Sequence, residues 1–273
     1  MPELVEIETL RRQLSSLILG SQITGVYSPS KAKLRSLSSY PTLIRELRQN
    51  RVQKIDRTGK YLIFRLSTEK VLISHLGMSG RWLVLGETKP KHSHLVVEFQ
   101  GFSLVYVDPR RFGQLLVARS ENEVANGALG PDFLSRFSVN DLYARLIRHR
   151  QFVKKVLMDQ SVIAGLGNIY ADEVLFQAGI SPLAHCDKLP LEKVSQIDSC
   201  GKKLLKKAIS FGGTTLADGG YVDLYGRNGR FQNHLMVHAR EGEPCLVCGE
   251  TVQKGKISAR SYYFCSNCQK ENF

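Results

Sequence analysis

The chain has 273 residues, 42% of them hydrophobic and 23% charged, a balance that supports a packed core and excludes wholesale disorder. Lys and Arg number 38 against 25 Asp and Glu, and the formal charge of +13 points to a polyanionic partner, either nucleic acid or an anionic membrane surface. No apolar run reaches the roughly 18 residues that would cross a bilayer. Glu3, Glu6 and Glu8 stand where a leader would need basic residues, so neither a signal peptide nor a membrane anchor is expected.

Hydrophobic periodicity predicts an amphipathic helix over 3–18. Ile7, Leu10, Leu14, Leu17 and Ile18 form its stripe, Pro2 suits the first helical position and Gly20 marks the stop. From about 22 to 118 the pattern changes to short β-rich runs at 61–66, 71–76, 95–99, 104–107 and 115–117, divided by Gly, Pro and Ser turns. Such spacing predicts an antiparallel β-sandwich or barrel. The polar stretch 119–136 reads as a boundary, after which helices are predicted over 138–149, 151–160, 168–178 and 190–210. Six glycines fall within 212–230, and a loop this rich in glycine between ordered elements is read as functional. The expected fold class is α+β and multidomain: an N-terminal helix with a β-sandwich over 1–130, a helical domain over 131–235 and a cysteine module over 236–273.

Two patterns carry chemistry on their own. Cys245-x2-Cys248-x16-Cys265-x2-Cys268 has zinc-ribbon spacing, and four thiolates close the coordination shell, so one structural zinc ion is expected on a β-hairpin. Lys254, Lys256 and Arg260 lie between the two knuckles, giving a basic tip that is either a phosphate contact or a solvated surface. At the other end, loss of Met1 would expose the secondary amine of Pro2 beside Glu3 and Glu6. Such an amine is a nucleophile when neutral; a helix N-terminus favours the neutral form, and the two acids oppose it. Taken alone, Pro-Glu at a helix start is also ordinary helix-initiation chemistry.

The ordered set MPELVEIETLRR, GKYL (59–62), ISHLGMSG (73–80), KHSH (91–94), DPRRFG (108–113) and LMDQSVIAGLGNIYADEVLFQAGISP (157–182), with FQ at 231–232 and GEPC at 242–245, resembles the bacterial formamidopyrimidine-DNA glycosylase family across nearly the whole chain. The resemblance implies a bifunctional glycosylase and lyase for oxidised purines, with a helix–two-turn–helix element and a zinc finger. It implies Pro2 as the nucleophile at C1′, Glu3 as the acid on the sugar ring oxygen, Glu6 in support, and Lys60 as a phosphate clamp. Met78, Arg110 and Phe112 match residues that fill the gap left by an extruded nucleotide, which must be filled when a base leaves the stack. Asn168, at the helix start after Ala164–Gly167, matches a phosphate contact or simply caps its helix. His92, Lys154 and Arg260 match further backbone contacts, although His92 and His94 could form a same-face strand pair.

The chain departs from the family pattern at three places. Val5 replaces a Pro, His238-Ala239 replaces Tyr-Gly, and Gly219-Gly220 lies where an aromatic residue is common. The implied partner is double-stranded DNA carrying oxidised bases, met by a monomer with no membrane contact, in the cytoplasm on the nucleoid. A relative acting on oxidised pyrimidines in the manner of endonuclease VIII, and a catalytically silent DNA-binding protein, are the competing readings.

Overall fold

The chain opens on a helix started by its own acids. The computed structural model describes residues 1–29, 38–217 and 219–270. In it the Glu3 and Glu6 side chains cap one another's backbone reciprocally, so α1 runs over Leu4–Ile18 with Glu3 as the N-cap. Pro2 therefore precedes the cap and is not the first helical residue, because the capping box fixes the start two residues later. Leu10, Leu14 and Ile18 are buried as the stripe predicted, Leu17 is half-buried, and Gly20 takes a left-handed φ of 78° just past the helix end.

The chain splits into two compact units, Met1–Gly127 with Phe211–Gln232, and Ala128–Ser210 with Asn233–Phe273. Sequence reading put the glycine-rich stretch with the helices of 131–235. It belongs instead to the first unit, because its backbone bonds to α1 side chains: Thr214 N–H to Glu6 and Leu224 N–H to Gln13. Asp218 of that loop, and residues 271–273 of the expected cysteine module, lie outside the described residues.

In the first unit two four-stranded antiparallel sheets face one core. The strands are β1 (Gly25–Tyr27), β2 (Val52–Thr58), β3 (Tyr61–Leu66), β4 (Val71–His75), β5 (Arg81–Val84), β6 (Ser93–Phe99), β7 (Phe102–Val107) and β8 (Gln114–Ala118). One sheet has the order β1-β6-β7-β5 and the other β2-β3-β4-β8. Alternation sets the inner faces. Leu95, Val97, Phe99, Leu104 and Tyr106 of the first sheet meet Leu62, Phe64, Leu66 and Leu72 of the second, with Leu10 and Leu14 of α1 in the same cluster. The predicted sandwich is therefore present.

Three strands, β1, β2 and β5, and one helix, α2 (Tyr40–Leu47), were not read from the sequence. The helix is only eight residues long, and its signal is local: the Ser39 hydroxyl accepts the Thr42 N–H, Pro41 sits in the first turn, and Leu43 and Leu47 are buried one turn apart.

The second unit is helical. It holds α3 (Val139–Leu146), α4 (Val153–Leu157), α5 (Asn168–Gln177) and α6 (Leu191–Ser210), all predicted, although α4 is half its expected length. A two-stranded hairpin, β9 (Gln253–Ile257) with β10 (Arg260–Phe264), follows. Phe176 of α5 packs with Val237, Val252, Cys245 and Cys265. Buried Gln269 accepts from Cys265 N–H and donates to the Ile180 carbonyl. These contacts seat the hairpin on the helices of its own unit.

Candidate functional site

At the start of α1, Pro2, Glu3 and Glu6 are all buried, the last two at 2% and 1% exposure. The two oxygens of the Glu6 carboxylate are engaged separately. Oε2 accepts Glu3 N–H at 2.8 Å, and Oε1 accepts Thr214 N–H at 2.9 Å. Glu6 thus ties the helix start to the glycine-rich loop. Gly213 must be glycine here, since its φ is +86° and a Cβ would stand 2.8 Å from Glu6 Oε1.

Lys60 occupies the two-residue turn between β2 and β3, the hairpin against which α1 packs, and is 6% exposed. One turn beyond Glu3 and Glu6, Glu8 locks helix to hairpin. It accepts from Arg11 and Arg12 at 2.9 Å and from Arg57 at 3.2 Å, while Arg57 also donates to the Gly59 carbonyl at 2.9 Å. Burial alone would raise the Glu8 carboxyl; the three guanidinium groups overcome it and hold the pKa at about 2. This cluster was not read from the sequence, since Arg57 lies 49 residues away from its partner.

His75 was quoted in a motif but given no role. Its ring lies 4.6 Å from the Tyr61 ring, next in chain to Lys60, and its Nδ1 accepts Gly77 N–H. Burial, and then the Lys60 charge, push its pKa down to about 4, so His75 is neutral at pH 7 and Nε2 carries its proton.

Two loops carry the expected wedge residues. Buried Asp108 fastens them together: Oδ1 accepts the Ser79 hydroxyl at 2.5 Å, Oδ2 accepts Gly113 N–H at 2.7 Å, and Ser79 Oγ accepts Arg110 N–H at 3.1 Å. A Cβ on Gly77 would stand 2.7 Å from the Phe112 carbonyl, so the loops meet closely. Met78 is 36% exposed, which removes it from the core. Arg110 is exposed, and its guanidinium lies 4.9 Å from the centre of the half-buried Phe112 ring. All three therefore lie on one stitched pair of loops. His92 is exposed with φ of 63° just before β6, whereas His94 is buried and donates from Nε2 to the Asp108 carbonyl. The two histidines do not form a same-face pair, because a register shift between Ser93 and Leu95 interrupts the alternation.

In the second unit, Gly167 is the cap residue of α5 and Asn168 its first helical residue, so the Asn side chain does not cap the helix. Its Oδ1 is buried without a hydrogen-bond partner among the described residues. Gln160 shapes the preceding turn by donating to the Met158 and Leu166 carbonyls and accepting Gly165 N–H. Lys154 is 2% exposed, paired with Asp172 at 2.7 Å and donating to the Ser261 carbonyl at 2.6 Å. Asp172 also accepts from His238 Nδ1 at 2.7 Å, and Glu173 accepts the N–H groups of Met236, Val237 and His238. Sequence reading found Lys154 but not this buried cluster. Arg260 is exposed at the start of β10.

The four cysteine sulfurs lie within 4.8 Å of one another, with Cys245–Cys268 at 3.9 Å and Cys248–Cys265 at 3.4 Å. A tetrahedral site with Zn–S bonds of about 2.3 Å requires sulfurs about 3.8 Å apart. The donor set and spacing fit one zinc ion, held with no position left for substrate.

Buried acids at a helix start, stitched loops carrying Met78, Arg110 and Phe112, a glycine-shaped turn before a helix and a four-cysteine hairpin define a multidomain protein of the helix–two-turn–helix, zinc-finger class. Family models agree: the formamidopyrimidine-DNA glycosylase N-terminal domain matches residues 1–115, the formamidopyrimidine-DNA glycosylase H2TH domain 129–219, and the zinc finger found in FPG and IleRS 242–270. The formamidopyrimidine-DNA glycosylase of Ligilactobacillus salivarius is 39% identical over 277 residues, covering 98% of this chain and 99% of that one. That of Herpetosiphon aurantiacus is 38% identical, covering 98% and 100%. Among solved structures, Lactococcus lactis Fpg in complex with DNA containing an abasic site superposes at a TM-score of 0.88 with 33% identity, over 99% of this chain and 100% of that one. The Thermus thermophilus Fpg protein superposes at 0.88 with 34% identity over all of both chains. The chain belongs to the formamidopyrimidine-DNA glycosylase family. No helix among the described residues is long and apolar enough to cross a membrane.

Proposed function

We propose that this protein is a base-excision repair enzyme that removes oxidised purines from double-stranded DNA and then cuts the strand. The observation that carries the reading is the buried group of Pro2, Glu3 and Glu6, held at one helix start by the Glu6 bonds to Glu3 and Thr214. Once Met1 is removed, the Pro2 nitrogen attacks C1′ of the extruded nucleotide; the N–C1′ bond forms as the bond to the base breaks. Glu3 protonates the ring oxygen, the sugar opens, and the positive charge rests on an iminium ion. That charge acidifies C2′; loss of its proton expels the 3′ phosphate, a second proton loss expels the 5′ phosphate, and water releases Pro2.

In this reading Glu6 positions the amine and the loop, while Lys60 with neutral His75 grips a phosphate beside the lesion. Met78, Arg110 and Phe112 fill the vacated stack, with Arg110 bonding the estranged base. His92, Asn168 and Arg260 hold the backbone, and buried Lys154 supports that surface through Asp172. The zinc ion bound by Cys245, Cys248, Cys265 and Cys268 fixes the hairpin that carries Arg260. The chain works as a monomer in the cytoplasm on the nucleoid, its functional parts following 1–130, 131–235 and 236–273 except that the loop of 211–232 serves the first part, with which it packs.

The test is incision of duplexes containing one 8-oxoguanine opposite cytosine, one oxidised pyrimidine, or no lesion. The expected result is a one-nucleotide gap with phosphate at both ends, at the 8-oxoguanine duplex above all. Preference for the pyrimidine lesion, or no incision by protein with processed Pro2, overturns the proposal.

A further inference from the structure

Met78 and Arg110 belong to different turns of the first unit, yet one hydroxyl spans them. The Met78 turn, between β4 and β5, is closed by Gly80 N–H on the Leu76 carbonyl at 2.8 Å. The Arg110 turn, between β7 and β8, is closed by Arg111 N–H on the Asp108 carbonyl at 3.3 Å, with Arg111 at a left-handed φ of 58°. Ser79 follows Met78 in the chain and meets the second turn twice: its hydroxyl donates to Asp108 Oδ1 at 2.5 Å, and its oxygen accepts Arg110 N–H at 3.1 Å. A carboxylate oxygen only accepts, so Asp108 takes the one hydroxyl proton and leaves the lone pairs of the serine oxygen to Arg110. Beneath both turns lies the buried Tyr106 hydroxyl. A Cβ at Gly80 would stand 2.4 Å from it and one at Gly113 1.7 Å, so each turn rests on the same oxygen with no slack between them.

We propose that Ser79 is a positioning residue that makes Met78 and Arg110 enter the duplex as one body, and thereby sets which base opposite the lesion is accepted. The proposal rests on the functional reading above, in which Met78 fills the vacated stack and Arg110 bonds the estranged base. Met78 is the chain neighbour of the serine, and the Arg110 backbone hangs on the serine oxygen, so a displacement of either turn is passed to the other. Fixing that backbone also narrows what the guanidinium can reach. Arg offers five donors and no acceptor. The pairing edge of cytosine carries two adjacent acceptors, whereas that of adenine sets a donor beside one acceptor. A loosely held guanidinium can turn aside from the adenine donor; one launched from a fixed backbone meets it, and the mismatch counts against the wrong base.

Single-turnover incision by the zinc-loaded full chain with free Pro2, on duplexes with 8-oxoguanine opposite cytosine or opposite adenine, tests this. The ratio of the two rates cancels any loss of folded or active protein. Ser79→Ala should lower the cytosine preference about fivefold or more. Ser79→Thr, which keeps the hydroxyl, should stay within about twofold of wild type. A double-mutant cycle of Met78→Ala and Arg110→Ala on the cytosine duplex reads the coupling. With Ser79 present, the double variant should incise about fivefold faster than the product of the single losses predicts; in the Ser79→Ala background the losses should multiply within about twofold. A hydroxyl that served stability alone would lower all rates alike and leave both the ratio and the coupling unchanged. An unchanged ratio in Ser79→Ala, an equal loss in Ser79→Thr, or coupling that survives Ser79→Ala overturns the proposal. A wild type that incises neither duplex, or an Arg110→Ala variant with the wild-type ratio, overturns the functional reading and this proposal with it.

Discussion

Replacing Glu8 by Gln tests how the helix that bears Pro2 is fixed to the hairpin that bears Lys60. The Glu8 side chain is 11% exposed and meets Arg57, 8% exposed, with Arg11 and Arg12 at 28% and 60%. Its pKa falls from 4.5 to about 2. At about 1.36 kcal/mol per unit, this corresponds to about 3.4 kcal/mol at pH 7. Solvent screening of the exposed Arg12 and Arg11 reduces the expected cost to about 2 kcal/mol, much of it from leaving Arg57 buried beside a neutral amide. For a chain of this size the melting temperature should fall by about 4–8 °C.

The sign with pH follows from the depressed pKa. The stabilisation is complete above about pH 4.5 and is lost as pH falls towards about 2. Urea unfolding of wild type and Glu8→Gln across pH 2–7 should therefore show a gap of about 2 kcal/mol at pH 7 that closes below pH 4.5. Since Arg57 also holds the Gly59 carbonyl, incision should slow in the variant at pH 7. A melting temperature within 1 °C of wild type, or a gap independent of pH, would refute the reasoning.

Gly213→Ala forces a Cβ against Glu6 Oε1 at a φ of +86°; a stability loss of about 2 kcal/mol is expected, with an incision rate reduced more than tenfold, read by thermal melts and single-turnover assays. Ala239 holds a φ of 62° where the family pattern has Gly; Ala239→Gly should raise stability by about 0.5–1 kcal/mol, measured by urea unfolding, and a loss would contradict the strained assignment. Complete zinc removal should unfold the 242–270 hairpin and abolish duplex binding. Circular dichroism and binding titrations with and without chelator would check this, with restoration by added zinc.

Local signals carried much of the fold into the sequence. The stripe of α1, the alternation in β3, β4, β6 and β7, and the four-cysteine spacing each follow from periods of three to four, two, or a ligand geometry. Short or interrupted elements escaped: α2 has too few turns to show a period, and β2 reads as polar because Lys54, Asp56 and Arg57 lie along it. Pro2 looked like a first helical residue because proline suits that position. The Glu3–Glu6 capping box moved the start onward, which only the side-chain geometry reveals.

At the site, the acids and wedge residues were legible through ordered motifs, whereas their supports were not. Arg57 on Glu8, Thr214 on Glu6, and Asp172 beneath Lys154 and His238 are pairings between distant segments. Lys154 illustrates the difficulty: the resemblance implies a DNA-backbone contact, yet a buried carboxylate and the Ser261 carbonyl draw the side chain inside.

The central claim is that the Pro2 amine is the nucleophile, and borohydride trapping on a duplex with one 8-oxoguanine opposite cytosine tests it most directly. Intact mass on the same sample establishes removal of Met1. The account predicts a covalent protein–DNA adduct that is absent with undamaged duplex and lost when the Pro2 amine is acetylated. Protein with a free Pro2 that incises the duplex yet forms no adduct, or forms one despite acetylation, would contradict it.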